Sequence, residues 1–126
     1  MGTISLDIQL SNPAVPQLKP MTATALVDTG ATTLCIPEFV AMQLQLQETE
    51  KRVVNTADGK SHIVPYMGPL KIQYEGRTCY TGAIVIGDTL LMGAIPLEDM
   101  DLILLPAERK VVVNPKSPNI PSAIVK

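Results

Sequence analysis

Residues 23–37, ATALVDTGATTLCIP, contain the side chains of this sequence that most clearly point to chemistry. Asp28 supplies a carboxylate and Thr29 a hydroxyl, while Gly30 can pack closely against other backbone or adopt a positive φ. Apolar residues flank the turn on both sides, so we predict that it holds its carboxylate rigidly and partly away from water. A carboxylate in such a place can acquire the shifted pKa that acid–base catalysis uses.

Strands are predicted to position this turn, because apolar and polar residues alternate with a period of two around it. Residues 4–10 alternate in this way, and TATALVD and TTLCI read as strands on either side of the turn. Residues 37–44 are predicted to form one short helix, since Pro37 suits a first helical position and Glu38 suits the positive end of the helix dipole. The segment QLQLQ, residues 43–47, also fits the start of a strand.

Further short strands are predicted from residue 51 onward. Asp58–Gly59 is a strong hairpin-turn signal, and two later strands meet at Glu75–Gly76. A short strand, a helical turn and a hairpin at PAER (106–109) follow, and residues 115–126 read as an extended, proline-rich tail. Short strands with little helix predict a small closed all-β barrel or a sandwich, in one domain spanning residues 1–126.

Composition excludes several classes of function. The chain has 126 residues, a net charge of −2 and no basic run, which argues against nucleic acid as a partner. Cys35 and Cys79 fit no metal-ligand spacing and are predicted to be reduced, buried thiols. No segment has the layout of a secretory signal or the length of a membrane span, so the predicted location is the cytoplasm, with no membrane partner.

The turn resembles the active-site signature of the aspartic peptidases, in which apolar residues precede Asp–Thr/Ser–Gly and small and alternating apolar residues follow. The matching positions are Ala25, Leu26, Val27, Asp28, Thr29, Gly30, Ala31, Thr32, Leu34 and Ile36. The later segments NTADGK and LLMGAIPLEDMDLILLPAERKVVVNP are similar to the flap and the downstream signature of the retropepsin-like proteases of bacteria and retroelements. The resemblance spans roughly residues 3–114 and implies a closed acid-protease barrel.

This resemblance implies an endopeptidase without metal or cofactor that acts on an extended peptide. Its chemistry needs two carboxylates that share one proton, and a chain with one Asp–Thr–Gly must obtain the second from another copy, as a homodimer. Asp28 is then the catalytic residue. The residues implied to support it are Thr29, Gly30 and Ala31 in the catalytic loop, Thr56, Ala57, Asp58 and Gly59 in a flap over residues 55–62, and Leu91, Met92 and Gly93 packed beside the catalytic turn.

Other interpretations of these residues are weaker. Most Asp–Thr–Gly tripeptides in proteins are ordinary turns, but the flanking pattern disfavours that interpretation here. Residues 98–101, EDMD, are predicted to be a solvated helix face rather than a metal site, and His62 is predicted to lie on a flap strand or the surface. The alternative function is a dimeric binding or assembly module that keeps the fold and has weak or no proteolytic activity.

Overall fold

The structure, a computed structural model, describes residues 3–125. These residues contain nine β-strands and two α-helices. The strands are β1 (Ser5–Ser11), β2 (Met21–Val27), β3 (Leu34–Ile36), β4 (Gln47–Asn55), β5 (Ser61–Tyr74), β6 (Arg77–Val85), β7 (Leu91–Met92), β8 (Leu102–Leu105) and β9 (Lys110–Val113). The helices are α1 (Glu38–Gln43) and α2 (Ala94–Asp99), and a 3₁₀ turn covers Pro106–Glu108. The predicted all-β class with short helices is confirmed.

Seven of the strands form one sheet that closes on itself. Their order is β1-β2-β7-β3-β6-β5-β4, and β1 pairs with β5 as well as with β2. The alternation read from the sequence explains why β1 can do this, since Leu6, Ile8 and Leu10 are buried while the residues between them face outward. The result is the barrel form of the two predicted architectures, with β8 and β9 as a separate two-stranded sheet.

The core inside this sheet is aliphatic, because the chain has only one Phe, three Tyr and no Trp. Cys35 and Cys79 are both free and buried, and they take the place of small apolar residues. The largest fully buried side chains come from strands on every side of the barrel and from α1 and α2: Ile8, Leu10, Leu34, Ile36, Val40, Leu44, Leu70, Ile72, Met92, Pro96 and Met100.

Helix α1 is one residue shorter at each end than the predicted range 37–44, because Pro37 is its N-cap and Leu44 its C-cap. It buries Val40 and Ala41, and leaves Phe39 exposed. The Asn12 side chain, in the loop after β1, donates a 2.8 Å hydrogen bond to the Leu44 carbonyl and so satisfies the end of the helix. Among the described residues, no helix is long and apolar enough to cross a membrane.

Strand β4 begins at Gln47, within the QLQLQ segment that also fitted the start of a strand. Strand β5 is longer than the sequence predicted, since it runs unbroken from Ser61 to Tyr74 where two strands were expected. Proline is compatible with this long strand because Pro65 has no register partner on β6, and Pro69 lies where the β5–β6 register shifts between Met67 and Leu70.

The segment after β9 is not extended as predicted, because residues 115–120 form turns and bends. The carboxylate of Asp101 holds the segment in place. It accepts hydrogen bonds from the Asn114 side chain at 3.0 Å, from the Ser122 backbone at 2.9 Å and from the Ser117 hydroxyl. The buried guanidinium of Arg77 lies 3.8 Å from the same carboxylate. The prediction that residues 98–101 form a solvated helix face is therefore wrong for Asp101 and for Met100, which is completely buried, although Glu98 and Asp99 are exposed.

Candidate active site

The Asp28–Thr29–Gly30 turn follows directly from the end of β2 and is closed by local hydrogen bonds. The backbone N–H of Gly30 donates to Oδ1 of Asp28 at 3.0 Å, and the N–H of Ala31 donates to the Asp28 carbonyl at 3.0 Å. An aspartate side chain closes such a turn because its oxygen can reach the backbone two residues ahead. Of the two carboxylate oxygens, only Oδ1 takes part in these bonds, and Oδ2 accepts none of the described hydrogen bonds.

Gly30 lies in a tight space rather than at a positive φ. Its backbone lies outside the left-handed region, and a Cβ at this position would lie 3.1 Å from Oδ1 of Asp28. A larger residue would crowd the carboxylate that the turn presents. Of the two roles that the sequence left open for Gly30, the structure selects the close approach.

The segment Leu91–Met92–Gly93 lies against the turn and anchors it. Strand β7 pairs with β2 in parallel, and the N–H of Asp28 donates to the Met92 carbonyl at 3.0 Å. A Cβ on Gly93 would lie 2.3 Å from the carbonyl oxygen of Thr33 and 2.7 Å from that of Ala31. The N–H of Ala94 also donates to the Ala31 carbonyl at 2.9 Å, so one end of the turn is tied to β7 and the other end to the start of α2.

The turn is exposed on the single chain, which corrects the expectation of a partly desolvated acid. Asp28, Thr29 and Gly30 are all exposed, whereas Ala25 and Leu34 on the flanking strands are completely buried. The apolar flanks point into the barrel and fix the turn from below, while the turn itself projects from the end of the sheet.

A cleft of about 700 Å³ joins the turn to the β4–β5 hairpin. Its walls include Asp28, Gly30 and Ala31 from the turn, and residues 53–57 from the hairpin, with Thr56 and Ala57 among them. Asp58 and Gly59 lie at the hairpin tip but not in the cleft wall, and Thr29, Met92 and Gly93 also lie outside it. The structure thus brings only part of the sequence-predicted site into one cavity.

The hairpin tip is organised by polar contacts within residues 56–62. The Thr56 hydroxyl donates to Oδ1 of Asp58 at 2.5 Å, and the Lys60 backbone donates to the same oxygen at 3.0 Å. The Thr56 hydrogen bond is the main reason that the pKa of Asp58 lies below its ordinary value. Gly59 has a φ of 84°, which explains why glycine stands in the turn. His62 lies on the hairpin strand, as predicted, 3.4 Å from the Thr56 hydroxyl.

Several residues that line the cleft were not assigned to the site from the sequence, and most of them are apolar: Thr33, Cys35, Val53, Val54, Ile84 and Ile86. The alternation in TGAIVIGD could have revealed Ile84 in β6 and Ile86 directly after it, since they alternate with the buried residues Ala83 and Val85. Burial, and secondarily the charge of Asp28, raises the pKa of the Cys35 thiol. Within the described residues, no cluster of side chains could hold a metal ion.

Comparisons with known proteins agree with this geometry. The family model of the gag-polyprotein putative aspartyl protease matches residues 19–99, which include the turn, the hairpin and β7. The structure of EIAV protease complexed with the inhibitor HBY-793 superposes on this chain with a TM-score of 0.60 and 19% sequence identity. The superposition covers 82% of this chain and 93% of the EIAV protease chain, and it shows that the two share a fold. No curated protein matches the chain. The chain belongs to the gag-polyprotein aspartyl protease family and has a retropepsin-like fold.

Proposed function

We propose that this protein is an aspartic endopeptidase that acts as a homodimer. The observation that carries the proposal is the composition of the cleft: among the residues that line it, Asp28 is the only carboxylate. Peptide hydrolysis by this chemistry needs two acids about 3 Å apart that share one proton. Since one chain supplies a single exposed Asp28, a second copy related by a two-fold axis would supply the other.

The two Asp28 carboxylates would divide the work of acid and base. One removes a proton from a water molecule, whose oxygen bonds to the carbonyl carbon of the scissile peptide. The other, protonated, donates its proton to the carbonyl oxygen. The tetrahedral intermediate then breaks at its C–N bond as a proton passes to the leaving nitrogen. The hydrogen bond from Gly30 to Oδ1 supports this arrangement, because it leaves Oδ2 for the partner carboxylate and the water.

The remaining residues of the turn would join the two chains and hold the substrate. The exposed hydroxyl of Thr29 is free to brace the matching turn of the partner. The backbone of Gly30 and Ala31 lines the cleft and offers hydrogen-bonding groups to an extended peptide. The tie between Ala31 and Ala94 supports this role, because it keeps the loop rigid from the side away from the cleft.

The β4–β5 hairpin would serve as the flap. Residues 53–57 share the cleft with Asp28, so an extended peptide in the cleft would lie between the hairpin and the turn. The exposed Val53 would be covered when the hairpin closes over a substrate, and closure would remove water from the reacting bond. Asp58 and Gly59 would shape the tip of this flap rather than contact the substrate from the cleft wall.

We also propose that the chain forms a single domain. Residues from β1 at one end and from β8 and β9 at the other, such as Leu6, Leu102 and Val111, belong to one buried cluster. A single core of this kind is expected to unfold as one cooperative unit.

Cleavage of a mixed peptide library by three proteins tests the proposed function. Wild type and Asp7→Asn should cleave peptides, because Asp7 is an exposed residue that bonds Thr24 away from the cleft. Asp28→Asn should lose activity by a factor of about 10³ or more while it keeps the fold, since the shared proton needs two acids. Sedimentation of all three proteins should reveal dimers.

Two results would contradict the proposal. A wild-type chain that stays monomeric at high concentration would exclude the shared pair of carboxylates. Three dimeric proteins that all fail to cleave would instead favour the alternative, a binding or assembly module with the same fold.

A further inference from the structure

The β4–β5 hairpin has a distinct base, where β5 leaves the barrel. Pairing between β5 and β6 begins at Tyr66, opposite Ile84, and continues to Tyr74. Residues 61–65 have register partners only in β4, at residues 51–55, within the described chain. The segment from 51 to 65, which we call the distal hairpin, therefore projects beyond the barrel from Tyr66.

Both strand ladders are interrupted beside Tyr66. The register of β4 against β5 shifts between Glu48 and Glu50, and the register of β5 against β6 shifts between Met67 and Leu70. Such shifts leave a residue unpaired and bend the strand. On β4 the residue passed over is Thr49, and on β6 it is Gly82.

Tyr66 supplies hydrogen bonds to both of these residues. Its hydroxyl accepts a 3.1 Å hydrogen bond from the backbone N–H of Gly82, a residue that has no register partner on β5. Its carbonyl accepts a 3.1 Å hydrogen bond from the Thr49 hydroxyl. One residue thus compensates for both interruptions, and it does so at the point where the distal hairpin begins.

Packing holds the Tyr66 ring in this place. A Cβ on Gly82 would lie 2.4 Å from the ring, so only glycine leaves room for it. The Arg52 guanidinium carbon lies over the ring at 3.7 Å from its centroid, and Glu50 holds Arg52 through a 2.9 Å ion pair. The ring therefore links β6 of the barrel to β4 of the hairpin, while its own backbone belongs to β5.

We propose that Tyr66 is the positioning residue of the hairpin: its phenol, seated on Gly82 and covered by Arg52, sets where the distal hairpin stands over the cleft. The consequence for substrate binding rests on the proposed peptidase function, but the contact itself belongs to the free protein. Tyr66 does not line the cleft, so it acts through the hairpin residues 53–57 that do.

Three variants test this role by amide hydrogen exchange in the absence of substrate. Tyr66→Phe removes the acceptor of the Gly82 N–H, and Gly82→Ala inserts a methyl group where the ring lies. Both substitutions should speed amide exchange by about three- to tenfold, at position 82 and across the distal hairpin. Exchange of the amides in β1 and β2 should not change. Tyr74→Phe is the matched control, because its hydroxyl donates to the Val111 carbonyl far from the hairpin.

A double variant separates this contact from general destabilisation. Since Gly82→Ala already displaces the ring, adding Tyr66→Phe should produce little further change in hairpin exchange. Additive effects of the two substitutions would overturn the proposal. So would hairpin exchange equal to that of wild type, or an equal acceleration of exchange across the whole barrel.

Peptide cleavage adds a readout that a purely structural role would not move. Tyr66→Phe should raise KM by about three- to tenfold and leave kcat close to that of wild type, because the Asp28 turn is anchored separately by β7. A fall in kcat with unchanged KM would contradict the positioning role. If wild type cleaves no peptide, the proposed function fails and the exchange comparison alone decides the role of Tyr66.

Discussion

A methyl group on Gly93 would lie 2.3 Å from the carbonyl oxygen of Thr33, so the backbone of the two residues is in direct contact. Gly93 has φ of −83° and ψ of −176°, values that any residue adopts. Glycine stands here because of the limited space beside the loop that contains Asp28 and not because of backbone conformation. This contact couples the position of the loop to the start of α2.

We predict that Gly93→Ala destabilises the protein and removes its activity. The added methyl meets backbone atoms of Thr33 and Ala31, which cannot rotate away, so the loop must shift at a cost of about 1–3 kcal/mol in unfolding free energy. Gly76→Ala is the control: it has a φ of 78° and no neighbour within 4 Å of its Cβ, so strain should cost about 1–2 kcal/mol without loss of activity. Urea unfolding and peptide cleavage measure the two effects, and a fully active Gly93→Ala would contradict the coupling.

Mixing wild type with Asp28→Asn should reduce the activity of the wild-type chains. If subunits exchange and pair at random, roughly one quarter of the dimers in an equal mixture carry two Asp28 side chains, and activity per wild-type chain falls by about half. An equal amount of Asp7→Asn is the control. The activity of that mixture should equal the sum of the activities of the two proteins measured separately. Activity that is unaffected by Asp28→Asn after prolonged incubation would argue against a site shared between chains.

The Asp101 carboxylate should make the attachment of the C-terminal segment sensitive to acid. Its hydrogen bonds, first that from Ser117, lower its pKa in the folded state far below the ordinary value. Because the pKa is lower in the folded state, the ionised carboxylate stabilises the fold at pH values above the unfolded-state pKa of about 3.9. This stabilisation is lost as the pH falls through and below that value.

Asp101→Asn should therefore lower the melting temperature at pH 7, and its difference from wild type should shrink below about pH 4. Thermal unfolding at several pH values measures this difference. Asp88→Asn is a suitable control, because Asp88 is exposed and contacts only its neighbour Thr89 among the described hydrogen bonds. A difference between Asp101→Asn and wild type that stays constant from pH 7 to pH 3 would contradict the assignment.

Both thiols should resist alkylation in the folded protein. Burial raises the pKa of the Cys35 thiol. Burial is also the main reason that the pKa of the Cys79 thiol is raised to about 12, so both side chains are protonated thiols at pH 8. Mass spectrometry after iodoacetamide treatment should find no adduct on the folded chain and two adducts in denaturant. A single adduct on the folded protein would indicate that one thiol is open to solvent.

The local chemistry of the turn and the strands around it could be predicted from the sequence. The hydrogen bonds that close the Asp28 turn join residues two and three positions apart, and alternation along β1 encodes its buried face directly. The Asp58–Gly59 turn is likewise a matter of neighbouring residues. These features depend on steric contacts and hydrogen bonds between residues that are close in the chain, so the local sequence is enough to predict them.

The lengths of the strands and the residues that line the cleft were harder to predict from the sequence. Strand β5 continues through Pro65 and Pro69 because its partners change at those positions, and no local pattern records which partner a strand has. Asp101 was misread for the same reason, since the groups that bind it lie 13 to 21 residues further along the chain.

The sequence by itself determined that a carboxylate, a hydroxyl and a glycine stand in a tight turn between strands of an all-β protein. Only the tertiary structure decided that this turn is exposed, that it shares a cleft with residues 53–57, and that Tyr66 meets Gly82 at the base of the hairpin. These outcomes depend on the register and bulges of strands that are distant in the chain. Such register results from the packing of the whole barrel and not from any single segment.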